Sequence, residues 1–158
     1  DAAAPDWSVL TSDDFESGWG NFEDGLTDCR RSSKDSAYAH TGTYCVRLRD
    51  NSPSSWNAYS SGRDITAYSE LKIEFWFDSV SMANGDHLDV QVYDGSAYQT
   101  VASLVAGTDF TDGDMTFKSI TVTDAQINFA NNMKVRFECE APANGDRVYL
   151  DDIEVSVK

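Results

Sequence analysis

Apolar and polar residues alternate with a period of two along most of this chain. Tyr44, Val46 and Leu48 alternate with Cys45, Arg47 and Arg49. Leu71, Ile73, Phe75 and Phe77 alternate with Lys72, Glu74, Trp76 and Asp78. Leu88, Val90 and Val92 alternate with Asp89, Gln91 and Tyr93. Only extended backbone sends neighbouring side chains to opposite faces, so each run reads as a strand with one buried face. The same pattern predicts strands over residues 98–105, 115–122, 134–140 and 148–157, and shorter ones over 9–16 and 56–65. A single helical turn fits 124–130. Asn84-Gly85-Asp86, Asp94-Gly95-Ser96, Asp112-Gly113-Asp114 and Asn144-Gly145-Asp146 supply the turns between strands. Nine or so half-buried strands require two packed layers, an all-β sandwich of two antiparallel sheets.

The 158 residues suffice for one domain with a real core. There is no internal repeat or low-complexity linker. Residues 1–10 are expected to form an N-terminal arm, with Trp7 partly docked, and 11–158 the domain. The opening Asp1-Ala2-Ala3-Ala4-Pro5-Asp6 reads as a mature or trimmed terminus. No apolar run is long enough to span a bilayer as a helix.

A formal charge of −15 argues against nucleic acid and anionic membranes as partners. Of the 27 acidic residues, 20 are Asp and 7 are Glu. Asp is favoured in turns and as a cation ligand, so the excess points to loops and to calcium, with plain solubility as the alternative. Cys29, Cys45 and Cys139 are an odd set. Alternation with Val135 and Phe137 turns Cys139 into the core. In a secreted chain, Cys29 and Cys45, on segments that can neighbour one another, are expected to form a disulfide.

Three segments carry a resemblance. They are Asp14-Phe15-Glu16 with Gly18-Trp19, then residues 37–44 (Ala-Tyr-Ala-His-Thr-Gly-Thr-Tyr), then residues 149–155 (Tyr-Leu-Asp-Asp-Ile-Glu-Val). Together they resemble the jelly-roll carbohydrate-binding modules of the galactose-binding-like group. The first and last are also similar to MAM-type adhesion domains. The resemblance implies that strands near 44–48, 71–77, 115–122 and 148–157 form one sheet. Those near 56–65, 88–93, 98–105 and 134–140 form the other, often concave. It also implies a structural Ca2+ held by Glu16 and Asp151, with Asp35 and main-chain oxygens of the 34–43 loop up to Thr43. Alternation with Tyr149, Ile153, Val155 and Val157 turns Asp151 inward, where an unpaired charge is costly, and leaves Asp152 in solvent. Pairing with Arg or Lys, or capping of backbone amides, are the alternatives for Glu16 and Asp151. His40 and His87 are isolated, which argues against zinc, and His40 is expected to bond within its own turn.

The outward residues of the second sheet form the candidate binding face: Asp89, Gln91 and Tyr93, Lys134, Arg136 and Glu138, Tyr98, and from the other edge Trp56 and Tyr59. Rings stack on the C–H faces of sugars, and carboxylate, amide and guanidinium groups bond their hydroxyls. The alternatives are end loops as the site, and rings that only cover the core. Arg47, Arg49, Glu74 and Trp76 fall on the outer face of the first sheet, as ion pairs or as a second site. The expected function is non-catalytic binding of an extracellular polysaccharide or glycan, an anionic one if the arginines select it. The chain would be a secreted, monomeric module within a larger multidomain protein. A MAM-like adhesion domain is the runner-up. A small polysaccharide lyase using Tyr93, Lys134 and Arg136 is a third reading.

Overall fold

A computed structural model describes residues 6–25, 28–50, 53–55, 62–143 and 145–158. Among the described residues the chain forms ten strands and one short 3-10 helix: β1 (Ser8–Asp13), β2 (Cys29–Ser32), η1 (Ser33–Tyr38), β3 (Cys45–Arg49), β4 (Pro53–Ser55), β5 (Glu70–Val80), β6 (His87–Tyr93), β7 (Tyr98–Val105), β8 (Thr116–Thr123), β9 (Val135–Glu140) and β10 (Arg147–Val157). They pack as two antiparallel sheets. The larger runs β2-β3-β10-β5-β8, with β1 also on β10; the smaller runs β4-β9-β6-β7. This is an all-β jelly-roll sandwich, and β3, β5, β8 and β10 share one sheet and β6, β7 and β9 the other, as the resemblance implies.

The inward halves of the alternation fill the space between the sheets. Val90, Val92, Val135 and Phe137 are fully buried, facing Leu71, Ile73 and Phe75 from the larger sheet. Phe75 and Phe137 meet edge to face at 4.9 Å, and Phe22 closes on Phe137 at 5.9 Å. Each such side chain contributes about 1.5–3 kcal/mol by leaving water. Cys139 is buried in this core, as expected. A hydrogen-bonded turn follows Thr123, with Gln126 and Ile127 N–H donating to its carbonyl, as the single turn expected there.

Several expectations need correction. β1 begins at Ser8 and pairs with Val157, so residues 8–10 belong to the sheet, not to an arm. Of the strand expected over 56–65, residues 56–61 lie outside the described residues; β4 sits just before them, and Arg63 bridges to Met133. Cys29 and Cys45 are not joined by a disulfide. Their strands do pair, but Cys29 stands opposite Leu48 and Cys45 opposite Ser32. That offset of three residues is odd, so the two thiols lie on opposite faces of the sheet. Cys29 packs in the core, while the Cys45 thiol donates to the Asp35 carbonyl of η1 at 3.5 Å.

The last strand also departs from simple alternation. Its pairing with β5 shifts between Asp151 and Glu154, and Asp152 has φ +46°. This bulge inserts one residue and inverts the facing downstream. Val148 and Leu150 face the core before it, Ile153, Val155 and Val157 after it. Tyr149 and Asp151 therefore project from the outer face, not alongside Ile153. Asp151 is nonetheless only 1% exposed, because the segment 39–44 crosses over it.

Candidate functional site

The outer face of the smaller sheet is ordered in cross-strand rows by its register. Tyr98 stands opposite Tyr93. Thr100, Gln91, Arg136 and Ser55 form the next row, and Ser103, Asp89, Glu138 and Pro53 the one after. A bulge in β7 between the partners of Val90 and Gln91 brings Thr100 into register. Arg136 is the centre of the face. Its Nε donates to Gln91 Oε1 at 2.5 Å, its guanidinium lies 4.0 Å over the Tyr98 ring, and a terminal nitrogen is 3.8 Å from Glu138. Gln91 Nε2 donates in turn to Thr100 Oγ1 at 3.4 Å. Tyr93 and Tyr98 meet at 5.3 Å, and Lys134 Nζ lies 5.6 Å over Tyr93.

The other end of this face is acidic. His87 Nδ1 lies 2.8 Å from Asp89 Oδ1 and 3.1 Å from Ser103 Oγ. Burial holds the Glu138 carboxyl above its ordinary range, and a hydrogen bond with Glu140 adds to the rise. Seven of the nine residues expected on the binding face, from Asp89 to Glu138, are thus together. Trp56 and Tyr59 lie outside the described residues. His87, Ser103 and Glu140 were missed. His87 was readable, because it is two residues from Asp89 and shares its face. Trp19 packs against the core.

The residues expected to hold calcium lie on and beside the 39–44 segment. Glu16 Oε1 accepts N–H bonds from Thr43 and Tyr44 at 2.9 and 2.8 Å. Asp151 Oδ2 accepts from the N–H of His40 and Thr41 at 2.8 and 3.1 Å, and Oδ1 from Asp152 N–H at 2.8 Å. Two carboxylates from opposite ends of the chain therefore clasp one five-residue loop by capping its amides. Gly42 is required between them: its φ is +64°, and a Cβ there would stand 2.3 Å from the Glu16 carboxyl carbon. Asp35 belongs to a different contact, since Arg30 occupies both its oxygens at 2.9 and 2.7 Å.

Burial raises the Asp151 carboxyl to about 6, against the lowering effect of its amide donors. Asp152 does not face solvent alone: it lies 2.6 Å from His40 Nδ1 and accepts from Thr41 Oγ1. His40 correspondingly leaves its own turn and stacks on Trp76 at 3.9 Å. Among the described residues, no group of three or more His, Cys, Asp or Glu is placed to share an ion. Glu16 and Asp151 spend their contacts on loop amides, and Asp35 is paired with Arg30.

No family model matches the sequence, and no curated protein matches it. Solved structures do match in shape. A family 61 carbohydrate-binding module in complex with beta-1,4-galactotriose aligns over 92% of this chain and 94% of its own, with a TM-score of 0.57 and 17% identity. The CBM22-1 xylan-binding domain of Paenibacillus barcinonensis Xyn10C covers 98% and 97%, with a TM-score of 0.61 and 15% identity. The fold is that of the jelly-roll carbohydrate-binding modules. The K2 adhesin domain of Lys-gingipain has the same shape, with a TM-score of 0.58, 16% identity and coverage of 94% and 98%.

In this carbohydrate-binding-module fold the outer face of the larger sheet is also furnished. Tyr38 stacks on Tyr149 at 4.2 Å, and Trp76 touches Phe117, which is 46% exposed. The smaller sheet differs in gathering polar groups and tyrosine rings in one continuous set, with Asp89 and Gln91 buried, each 8% exposed, beneath it.

Proposed function

We propose that this chain binds an extracellular polysaccharide, without catalysis, on the outer face of the smaller sheet. One observation carries the reading: Arg136 is held at once by Gln91 and the Tyr98 ring, beside Asp89 and Glu138. This fixes donors, acceptors and aromatic surface within one patch. The similar folds seen with galactotriose and from a xylan-binding domain support the ligand class. Glycan-array binding and affinity electrophoresis in polysaccharide gels test it. Loss of a charge-assisted hydrogen bond is worth about 1.5–3 kcal/mol, so Arg136→Ala should weaken binding by roughly tenfold or more. Unaltered retardation of Arg136→Ala and Tyr98→Ala by a polysaccharide that retards the wild type would overturn it.

A structural calcium is proposed for the clasp. Glu16, Asp151 and main-chain oxygens around Thr43 would hold it, and the ion would supply the positive charge that a buried, ionised Asp151 lacks. Binding only the folded state would raise its stability by mass action. A melting temperature unchanged by millimolar calcium or by chelator rejects this. The adhesion reading rests on the Lys-gingipain domain and the Trp76–Phe117 patch, and capture of protein but no glycan would favour it. The lyase reading requires unsaturated ends to be released from the bound polymer.

A further inference from the structure

Four of the seven arginines gather on the outer face of the larger sheet, in a chain of charge −15. The register makes this unavoidable. Arg30, Arg47, Tyr149 and Asp78 form one cross-strand row, and Arg49 stands opposite Arg147 in the neighbouring position. Two of the four are compensated: Arg30 by Asp35 at 2.7 Å and Arg49 by Asp28 at 2.9 Å. Asp78 is turned away, its carboxylate accepting from the N–H of Ser79 and Gly113.

Arg47 and Arg147 are left without a carboxylate among the described residues. Arg47 is only 5% exposed, and its Nε has no hydrogen-bond partner. Arg147 Nε, in the same cluster, is likewise buried and unpartnered among the described residues, while the Tyr149 hydroxyl lies against the Arg147 side chain. A buried guanidinium beside three others is costly, and burial with the repulsion of Arg30, Arg49 and Arg147 lowers the affinity of Arg47 for its proton. The Arg30 and Arg49 side chains, 38% and 27% exposed, open the cluster to solvent at its rim.

We propose that Arg47 and Arg147, flanked by Arg30 and Arg49, form a binding site for an oxyanion carried on a polysaccharide, a uronate carboxylate or a sulfate ester. The guanidinium fork donates two parallel N–H bonds to such a group, and the orphaned Nε atoms of Arg47 and Arg147 are the donors that it satisfies. The site is separate from the Arg136 face and rests on the glycan-binding reading only for the carrier of the anion.

The test is a titration of the intact chain with trigalacturonate, a sulfated disaccharide and neutral galactotriose, following the arginine Nε–Hε resonances by NMR. Either acidic oligosaccharide should shift the Arg47 and Arg147 signals, and which one does so identifies the anion; galactotriose should leave both in place. Arg147→Gln should weaken the acidic ligand at least tenfold. It lies at a strand end and serves if Arg47→Gln fails to fold. Unchanged Arg47 and Arg147 signals at millimolar acidic ligand, or wild-type affinity in Arg147→Gln, overturn the proposal. The Arg136 signal reports the other face independently, so failure of one site is distinguishable from failure of the other.

Discussion

Replacing Asp151 by asparagine should make the protein more stable at neutral pH and leave it nearly unchanged at pH 4. The carboxyl is 1% exposed and its pKa is raised from 3.8 to about 6. The folded state therefore holds this proton more tightly than the unfolded chain. Between about pH 4 and 6 the folded state binds more protons, so stability falls as pH rises, and the loss is complete above the folded value. At 1.36 kcal/mol per pKa unit, the full loss is about 3 kcal/mol. Asparagine is neutral throughout and keeps an oxygen to accept the His40 and Thr41 amides, much as the protonated acid does. Urea denaturation of both proteins in chelator, from pH 4 to 8, gives the difference curve. It should be near zero at pH 4 and approach about 3 kcal/mol in favour of Asp151→Asn by pH 7.5. Burial also raises Asp13, Asp78 and Glu138, but both proteins share these and the subtraction removes them. A difference curve flat across the range would refute the reasoning. If calcium occupies the clasp, adding it at pH 7.5 shrinks the advantage of the variant, because only the wild type keeps both carboxylates.

Gly42→Ala combines a left-handed backbone with a clash against Glu16, so it should cost about 2–4 kcal/mol by displacing a carboxylate that caps two amides; a melting temperature within a degree or two of wild type would contradict this. Burial pushes the Cys45 and Cys139 thiols up to about 12, so both should resist alkylation at pH 8 in the native protein and react fully in denaturant. A peptide map under non-reducing conditions should contain no Cys29–Cys45 peptide.

The alternation made the two sheets and the binding face legible because period two is a property of the backbone itself. Asp89, Gln91 and Tyr93 had to share a face once Leu88, Val90 and Val92 were inside. It failed where the chain breaks its own period. Asp151 and Ile153 are two apart and would share a face in an unbroken strand, yet the bulge at Asp152 separates them. Nothing in the residue types around Asp152 marks that insertion. The disulfide expectation failed for a related reason: strand neighbours were foreseeable, but a register offset by three residues was not. The crossing of the 33–44 segment over the larger sheet has no periodicity to betray it. The pairing of Arg30 with Asp35 and the covering of Asp151 were therefore invisible.

The arrangement of β10 bears on how this chain acquires its shape. One edge of that strand is shared end to end, by β3 along Arg147–Leu150 and by β1 along Ile153–Val157. The other edge is taken by β5 along nearly its whole length. Three earlier segments thus wait for the eleven residues of β10 to give them a common neighbour. During synthesis from the amino end, the larger sheet cannot close until β10 has emerged. Deleting the second half of β10 would strand β1 as an unpaired ribbon, a far graver injury than an equal cut in any turn.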